Sequence, residues 1–194
     1  MSAKVRITQG NVATATTEAI VNAANENLLE GAGVCGAIFS EARRGGGHAE
    51  LAEACRHLNH CPTGNAISTP GYGLAAKWVI HAVGPVWQGR RNVMPTELDE
   101  TAVRQLRELA GTYRAVLREC RTYRIKSVTI PGISTGIFGL PKELGSAIAV
   151  TVCREEAGDV EVDLIAFDEA SHAVLLAAPS AAAMALMAGK GIVG

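Results

Sequence analysis

The sequence predicts an α/β domain in which helices cover both faces of a β-sheet. Segments with strand-like and helix-like patterns alternate along the chain, which is typical of this class. Two glycine-rich loops each follow a predicted strand and precede a predicted helix. The 194 residues are enough for one core, and 48% of them are hydrophobic while 4% are aromatic, so we expect an aliphatic interior.

Short apolar runs that end at Asn, Gly or Pro predict strands. They lie near residues 5–7, 18–24, 66–69, 77–83, 127–130 and 160–167. Apolar residues three or four positions apart predict helices. These cover residues 34–43, 48–58 and 98–123, a segment starting at residue 141, and residues 169–178. We expect an exposed loop over residues 85–97.

The charge balance argues against a partner held by long-range electrostatics. Eighteen Lys and Arg residues stand against nineteen Asp and Glu residues, for a formal net charge of -1. A nearly neutral chain has no general field to attract nucleic acid or an anionic membrane. Phosphate groups must therefore be bound locally, and the basic pairs Arg43-Arg44 and Arg90-Arg91 are interpreted as solvated surface charge.

The cysteines and the lack of a long apolar run indicate a cytoplasmic protein without a membrane segment. Five cysteines, an odd number, are scattered through a chain long enough to fold without disulfides. No apolar stretch reaches the roughly 20 residues that cross a bilayer. Cys55, His57, His60 and Cys61 lie close in sequence, but their spacing does not fit a zinc site, so no metal is expected.

The glycine-rich loops at residues 31–36 and 132–139 predict an anion site made of backbone amides. The first turn of a helix leaves N–H groups without partners and carries partial positive charge, so it binds anions without Lys or Arg. Two such loops can hold two phosphates, and glycine lets the backbone approach them closely. Neither loop fits the dinucleotide-binding or Walker pattern, and a simple tight turn is the alternative for each.

Four motifs in a fixed order resemble the signature of macro domains. They are VNAAN at residues 21–25 with Leu28, GAGVCGAI at 31–38, VIHAVGP at 79–85, and ISTGIFG at 133–139 with Pro141. Macro domains bind ADP-ribose, and many are hydrolases. The resemblance implies a three-layer α/β/α sandwich with a mixed, mostly parallel sheet over residues 1–178. It leaves residues 179–194 as an Ala- and Gly-rich C-terminal extension or tail.

Matching positions imply how the ends of ADP-ribose are bound. Asn11 and Val12 match a turn whose acidic residue accepts a hydrogen bond from the adenine amino group, although Asn11 is uncharged and so a weaker acceptor. Phe167 matches the aromatic residue that stacks on adenine; a buried Phe at a strand end is the alternative. Asn25 matches the asparagine that binds the distal ribose, and a turn-forming Asn is the alternative.

The resemblance also implies a phosphate-binding set. Amides of Val34, Cys35 and Gly36 contact one phosphate and those of residues 134–138 the other, while Phe138 walls the distal ribose. The complete set of expected binding residues is Asn11, Val12, Ala24, Asn25, Gly33, Val34, Cys35, Gly36, Ser134, Thr135, Gly136, Ile137, Phe138 and Phe167.

Three residues are candidates for catalysis: Asn25, Glu30 and Cys35. The chain resembles bacterial O-acetyl-ADP-ribose deacetylases and ADP-ribosyl hydrolases, but in that branch an aspartate occupies the position of Cys35. A thiolate nucleophile and a small pocket-shaping residue are the alternatives for Cys35. Other macro domains lack the aspartate and still cleave ADP-ribose esters with help from the substrate's own phosphate. Glu30 is then a candidate base, or else a solvated loop carboxylate.

We therefore expect a protein that binds ADP-ribose or ADP-ribosylated protein and hydrolyses an ester at the distal ribose. The substrate is expected to be ADP-ribosyl on a protein carboxylate or O-acetyl-ADP-ribose, without a cofactor. A reader that binds ADP-ribose without turnover is the alternative, and binding of nucleic acid or poly-ADP-ribose is a third hypothesis. His81 lies in an apolar strand and is expected to be a hydrogen-bonded core residue.

Overall fold

The computed structural model describes residues 5–89, 98–178 and 191–192. The strands in these ranges are β1 (Val5–Gln9), β2 (Ala19–Ala23), β3 (Asn65–Pro70), β4 (Trp78–Val83), β5 (Ser127–Pro131) and β6 (Glu161–Ala166). The helices are α1 (Gly33–Arg44), α2 (His48–Leu58), α3 (Glu100–Thr122), α4 (Lys142–Glu156), α5 (Glu169–Ala177) and a short 3₁₀ helix (Val12–Thr14). None of the helices in these ranges is long and apolar enough to cross a membrane.

The strands form one mixed sheet in the order β1-β6-β5-β2-β4-β3. Every neighbouring pair is parallel except β3 and β4, which are antiparallel. These two strands follow each other without an intervening helix, and a parallel pair needs a longer crossover connection. The expected mixed, mostly parallel sheet is confirmed.

Alternate residues of the central strands face two separate cores. In β4, Ile80 packs with α3 and α4, whereas Val79 and Val83 pack with α1 and α2. In β2, Val21 belongs to the core with α3 and α4, and Ile20 belongs to the core with α1 and α2. Because successive side chains of a strand point to opposite faces, each central strand supplies both cores. The result is the three-layer sandwich that the motifs imply.

The helices that follow the two glycine-rich loops begin without a side-chain cap. Asp99 caps α3 and Asp168 caps α5 through their carboxylates. Ala32, which precedes α1, and Pro141, which precedes α4, make no such bond. The first-turn amides of α1 and α4 therefore remain available to other acceptors. The helix expected from residue 141 begins one residue later, at Lys142.

The segment after β4 is less exposed than the sequence suggests. Pro85 is buried and Trp87 is 9% exposed. The amide of Trp87 donates to the carbonyl oxygen of Phe138 at 2.8 Å, which ties this segment to the loop before α4. The expectation of an exposed loop over residues 85–97 is therefore wrong for these two residues, whereas Val86 and Gln88 are exposed as expected and residues 90–97 lie outside the described ranges.

Two residues of the expected C-terminal extension are described, and both contact the domain. Ile192 is 2% exposed and belongs to the core that contains α3. The carbonyl oxygen of Gly191 accepts a hydrogen bond from Arg107 Nε at 3.2 Å. The boundary at residue 178 remains a prediction, and residues 179–190 and 193–194 lie outside the described ranges.

The glycine that ends α1 should be essential for stability. A Cβ at Gly45 would lie 1.8 Å from the carbonyl oxygen of Gly73, a backbone atom that cannot rotate away. Gly45→Ala should therefore lower the free energy of unfolding by about 3 kcal/mol, the upper part of the range for overpacking. Urea denaturation measures this change.

Gly111→Ala is the matched control for that substitution. Its nearest neighbour to an added Cβ is the carbonyl oxygen of Gly64 at 3.4 Å, and the residue lies inside α3. Alanine favours a helix interior by roughly 0.5–1 kcal/mol over glycine, so this variant should be as stable as the wild type or more so. Equal stability of the two variants would contradict the packing argument.

Candidate functional site

A cleft of about 560 Å³ opens at the edge of the sheet where the parallel strands end. Ligands of such sheets bind beyond the carboxyl ends of the strands. The expected binding residues that line it are Asn11, Val12, Ala24, Asn25, Gly33, Val34, Cys35, Ser134, Gly136, Ile137, Phe138 and Phe167. Gly36 and Thr135 do not line it.

The cleft also contains residues outside the expected binding set, although some of them belong to the two glycine-rich loops predicted to bind an anion. They are Gly10, Ala23, Gly31, Ala32, Ala37, Ala82, Gly84, Pro131, Gly132, Ile133 and Ile165. Most of them are among the last residues of a strand or follow it directly. The positions of the strand ends were therefore the signal that could have identified them. Gly84 has a clear steric role, because a Cβ there would lie 2.2 Å from Ser134 Oγ.

The described residues that line the cleft carry no charged side chain. An anion bound there must therefore be stabilised by backbone dipoles. The helix α1 starts at Gly33, whose φ of 63° lies in the left-handed region that favours glycine. Ala32 is extended, with φ of -93° and ψ of -177°, so an alanine fits there without strain. The first-turn amides of α1 have no carbonyl partner inside the helix.

Gly36 serves packing, which corrects the expectation that its amide binds phosphate. Its N–H points to the carbonyl oxygen of Ala32 at 3.5 Å, as part of α1. A Cβ at this position would lie 2.7 Å from the carbonyl oxygen of Gly31, so glycine lets the helix pass close to its own loop. The amides left for a ligand are those of the three helical residues before it.

The second glycine-rich loop contains a buried hydroxyl without a partner. Ser134 is 4% exposed, and its Oγ has no hydrogen-bond partner within the described part of the chain. Its φ of 64° lies in the left-handed region, and its carbonyl oxygen accepts from the amide of Leu140 at 3.0 Å. An unpartnered buried polar group costs roughly 1–3 kcal/mol. A ligand atom that bonds to this hydroxyl would offset that cost.

The side chain of Thr135 packs beneath the loop rather than in the cleft, and the expected contact from its backbone amide stays a prediction. A Cβ at Gly132 would lie 2.5 Å from Thr135 Oγ1, and a Cβ at Gly145 would lie 2.5 Å from Thr135 Cγ2. The side chain therefore fills the space between two glycines. Its function is to support the loop.

Asn11 and Phe167 follow β1 and β6, which are neighbouring strands. Asn11 Oδ1 accepts from the amide of Ala13 at 3.0 Å and so caps the 3₁₀ helix, which leaves one lone pair and the side-chain amide for a ligand. Phe167 is 79% exposed. The alternative of a buried Phe at the strand end is therefore wrong, and its ring is free to stack on a planar group.

Asn25 forms a turn and lines the cleft at the same time. Its Nδ2 donates to the carbonyl oxygen of Leu29 at 2.8 Å, and its Oδ1 accepts from the amide of Leu29 at 3.1 Å. Each end of a side-chain amide has one further hydrogen-bonding position. The turn-forming alternative is therefore compatible with ligand binding, and it fixes the orientation of the side chain.

The thiol of Cys35 is buried and neutral. It is 4% exposed and donates to the carbonyl oxygen of Leu29 at 3.7 Å, while Asn22 Nδ2 donates to its Sγ at 3.6 Å. Burial raises the pKa of the Cys35 thiol above its usual value. Because the thiolate is the nucleophilic form, this environment favours a pocket-shaping role over a nucleophilic one.

A chain of buried polar groups continues from Cys35 into the core. Asn22 Nδ2 lies 3.1 Å from His81 Nδ1, and His81 Nε2 lies 3.0 Å from Thr69 Oγ1. Burial lowers the pKa of His81 to about 4, so the imidazole is neutral near pH 7. His81 is thus the hydrogen-bonded core residue that its apolar strand indicates.

The other cysteines are also free and buried. Cys55 Sγ lies 3.7 Å from His81 Nε2, whereas Cys61 Sγ lies 3.9 Å from the carbonyl oxygen of Pro62. Burial raises the pKa of each of these two thiols to about 11. In the ranges that the structure covers, no three His, Cys, Asp or Glu side chains are grouped to hold a metal ion.

Glu30 is exposed and does not line the cleft, which favours the alternative of a solvated loop carboxylate over a catalytic base. Its Oε2 lies 2.8 Å from His48 Nε2, and its Oε1 accepts from Arg43 Nη2 at 3.3 Å. The hydrogen bond with His48, aided by Arg43, lowers the pKa of this exposed carboxyl. Arg44 pairs with Glu41, so both cations of this basic pair are engaged at the surface.

The Macro domain family model matches residues 21–149. A macro domain-containing protein of Methanosarcina mazei is 45% identical over 152 residues, which are 78% of this chain and 73% of that protein. The chain belongs to the macro domain family. Human ADP-ribose glycohydrolase MACROD2 is 41% identical over 169 residues, which are 86% of this macro domain chain but 36% of the human protein.

Solved macrodomain structures have the same fold. A variant of the Oceanobacillus iheyensis macrodomain with ADPR has a TM-score of 0.78 and 31% identity, and the match covers 91% of this chain and 94% of that one. The Trypanosoma brucei macrodomain in complex with ADP-ribose has a TM-score of 0.71 and 30% identity, with 89% and 67% covered. The macro domain fold expected from the four motifs is confirmed.

The buried His81 should make this macro domain sensitive to acid. Its folded-state pKa of about 4 is lower than the ordinary histidine pKa of 6.5, so the unfolded chain takes up the proton first. Stability from this group is complete above about pH 6.5 and falls as the pH decreases towards 4. Between pH 7.5 and pH 5 the loss should be about 2 kcal/mol.

Denaturant unfolding of the wild type and of His81→Gln at both pH values measures that loss. The variant lacks the titrating group, so its stability should change by about 2 kcal/mol less over the same interval. A wild type and variant with the same pH dependence would show that His81 is not buried in its neutral form.

Proposed function

We propose that this macro domain binds ADP-ribose in the cleft at the carboxyl edge of the sheet. The observation that supports it best is an uncharged cleft bordered by backbone amides at the start of α1 and by the loop 132–140. A diphosphate can be bound by such amides and by a helix dipole without any cation. The relatives support the choice of ligand, since the macrodomains of Oceanobacillus iheyensis and Trypanosoma brucei have structures with ADPR and ADP-ribose.

The residues that line each part of the cleft suggest where the adenine, the diphosphate and the distal ribose of ADP-ribose lie. Adenine stacks on the exposed ring of Phe167 and donates from its amino group to Asn11. The diphosphate lies between the amides of residues 33–35 and those of the loop that contains Ser134. The distal ribose then reaches Asn25, whose side chain is already oriented by its two bonds to Leu29.

We propose in addition that an ester at the distal ribose is hydrolysed. The ester bond is broken and water supplies the hydroxyl and the proton, so the products are ADP-ribose and a free carboxylic acid, either the protein side chain or acetic acid. Glu30 is outside the cleft and the Cys35 thiol is protonated, so neither supports a role as base. The substrate's diphosphate is then the nearest anion that can accept a proton from water, and Asn25 orients the water and the ribose.

A reader without turnover is the second candidate function. One observation favours it: the described residues that line the cleft include no carboxylate and no imidazole. General acid–base catalysis by a side chain typically contributes about 10²–10⁴-fold to a rate, and this cleft offers no such group. A domain of this kind would hold ADP-ribosylated protein and leave the linkage intact.

Removal of the exposed ring should weaken ADP-ribose binding. Stacking of a base on an aromatic side chain is worth roughly 1–3 kcal/mol, so Phe167→Ala should raise the Kd about ten- to hundredfold. Leu176→Ala is the control, because Leu176 is also exposed but does not line the cleft. Isothermal titration calorimetry with ADP-ribose compares the two, and an equal Kd for both variants would remove Phe167 from the site.

Turnover by the wild type separates the enzyme from the reader, and turnover by three variants tests the mechanism. If ester hydrolysis is assisted by the substrate's phosphate, Asn25→Ala should lower kcat at least about tenfold, the effect of losing one oriented hydrogen bond. Glu30→Gln should leave kcat within about twofold because its carboxylate lies outside the cleft, and Cys35→Ala should retain most of the activity. The assay follows release of ADP-ribose from a glutamate-modified acceptor protein and deacetylation of O-acetyl-ADP-ribose.

Each result has a distinct meaning. Tight binding of ADP-ribose with no release by the wild type would establish the reader. Loss of turnover in Cys35→Ala with unchanged binding would assign the chemistry to the thiol and contradict the proposed mechanism. Loss of turnover in Glu30→Gln would do the same for the carboxylate.

A further inference from the structure

A smaller cavity of about 210 Å³ adjoins the proposed ADP-ribose cleft. The two share six lining residues: Val34, Pro131, Gly132, Gly136, Ile165 and Phe167. From this junction the smaller cavity extends to Tyr113 of α3, to Ser146 and Lys142 of α4, and to Ser171 of α5. We name it the α4–α5 cavity.

The junction between the two cavities lies where the adenosine ribose is expected. In ADP-ribose this ribose connects the adenine to the diphosphate. Phe167, the proposed adenine platform, and Gly136, in the phosphate loop, both border the junction. A ligand with its adenine and diphosphate at these two places has its adenosine ribose between them. A group attached to a hydroxyl of that ribose can therefore enter the α4–α5 cavity.

Two buried hydroxyls that line this cavity have hydrogen-bonding capacity to spare. Ser146 is 8% exposed and lines the cavity, so its hydroxyl can reach a ligand atom there. Tyr113 is 1% exposed, and its Oη accepts from the amide of Ile133 at 3.3 Å. Burial raises the pKa of Tyr113, so its hydroxyl keeps its proton and can donate it. Both groups can donate hydrogen bonds to a ligand oxygen.

Among the described residues that line the cavity, the charged ones are Lys142, a cation, and Asp168, an anion. Lys142 Nζ donates to Ser171 Oγ at 2.8 Å, and Lys142 is the first residue of α4, which has no side-chain cap. Asp168 lies nearby, and its carboxylate accepts from the amide of Ser171 at 2.7 Å as the cap of α5. Lys142 and the uncapped start of α4 attract an anion, whereas Asp168 opposes it. Net attraction of an anion therefore depends on the hydrogen bonds that the neutral hydroxyls of Ser146 and Tyr113 can donate to it.

We propose that the α4–α5 cavity binds a phosphate-bearing substituent on the adenosine ribose of ADP-ribose. The proposal rests on the proposed function, because it takes the position of the ribose from the binding of ADP-ribose in the main cleft. Two ligands carry this chemistry: ADP-ribose with a 2′-phosphate, and an ADP-ribose chain whose next unit is attached to this ribose. The protein then selects among ADP-ribose derivatives by the substituent on the adenosine ribose.

Calorimetric titration with three probes tests the proposal. The probes are ADP-ribose, ADP-ribose 2′-phosphate, and a dimer of ADP-ribose titrated as the isolated compound. At least one of the two extended probes should bind about tenfold more tightly than ADP-ribose, the gain expected from one hydrogen bond to a charged group. The probe that gains affinity identifies the source of the phosphate.

Four variants assign that gain to the cavity. Ser146→Ala and Lys142→Met should reduce the preference for the extended probe to about twofold or less while the Kd for ADP-ribose stays unchanged. Asp168→Asn should increase the preference, because an Asn still caps α5 but no longer repels the phosphate. Lys126→Met is the matched charge control, since Lys126 is exposed and precedes β5, at the opposite edge of the sheet.

The outcomes separate this proposal from the proposed function. No binding of ADP-ribose by the wild type would overturn both. Binding of ADP-ribose with no gain for either extended probe would overturn the cavity proposal alone. A gain that persists in both Ser146→Ala and Lys142→Met, or that Lys126→Met removes equally, would also overturn it.

Discussion

The cleft depends on backbone N–H groups that the fold leaves without carbonyl partners. After β2 the chain passes through the loop of residues 24–32 into α1, and the first residues of α1 line the cleft. The uncapped first turn of α1 therefore points its amides at the cleft. Glycines at Gly33 and Gly36 allow the sharp entry and the close packing that this requires. The absence of charge from the described lining is consistent with anion binding by dipoles alone.

The polar groups on the ribose side of the cleft are held in one connected network. The side chain of Asn25 and the thiol of Cys35 both bond to Leu29, and Cys35 in turn bonds to Asn22 beside the buried His81. Groups that are oriented before the ligand arrives lose less freedom on binding. The core of the domain therefore helps to fix the loop that holds Asn25.

The sequence predicted the features that depend on local residue patterns. It missed those that depend on where a side chain or a backbone segment points in the folded domain. A short apolar run that ends at Gly84-Pro85 predicted β4, and apolar residues three or four positions apart predicted α3. The motifs also predicted both glycine-rich loops. The surroundings of Glu30 could not be predicted, because its carboxylate bonds with His48, which is 18 residues away in α2. Gly36 was misassigned because a glycine that lets a ligand approach and one that lets a helix pack look alike in a sequence.

The burial of the thiols has a consequence for the chemistry of the protein in a cell. Electrophiles and peroxides react with the thiolate form of cysteine, and burial raises the pKa of every one of the five thiols. The Cys35 thiol, at the start of α1, is therefore protonated near neutral pH and shielded from solvent. Burial of all five thiols should slow their oxidation for as long as the domain stays folded.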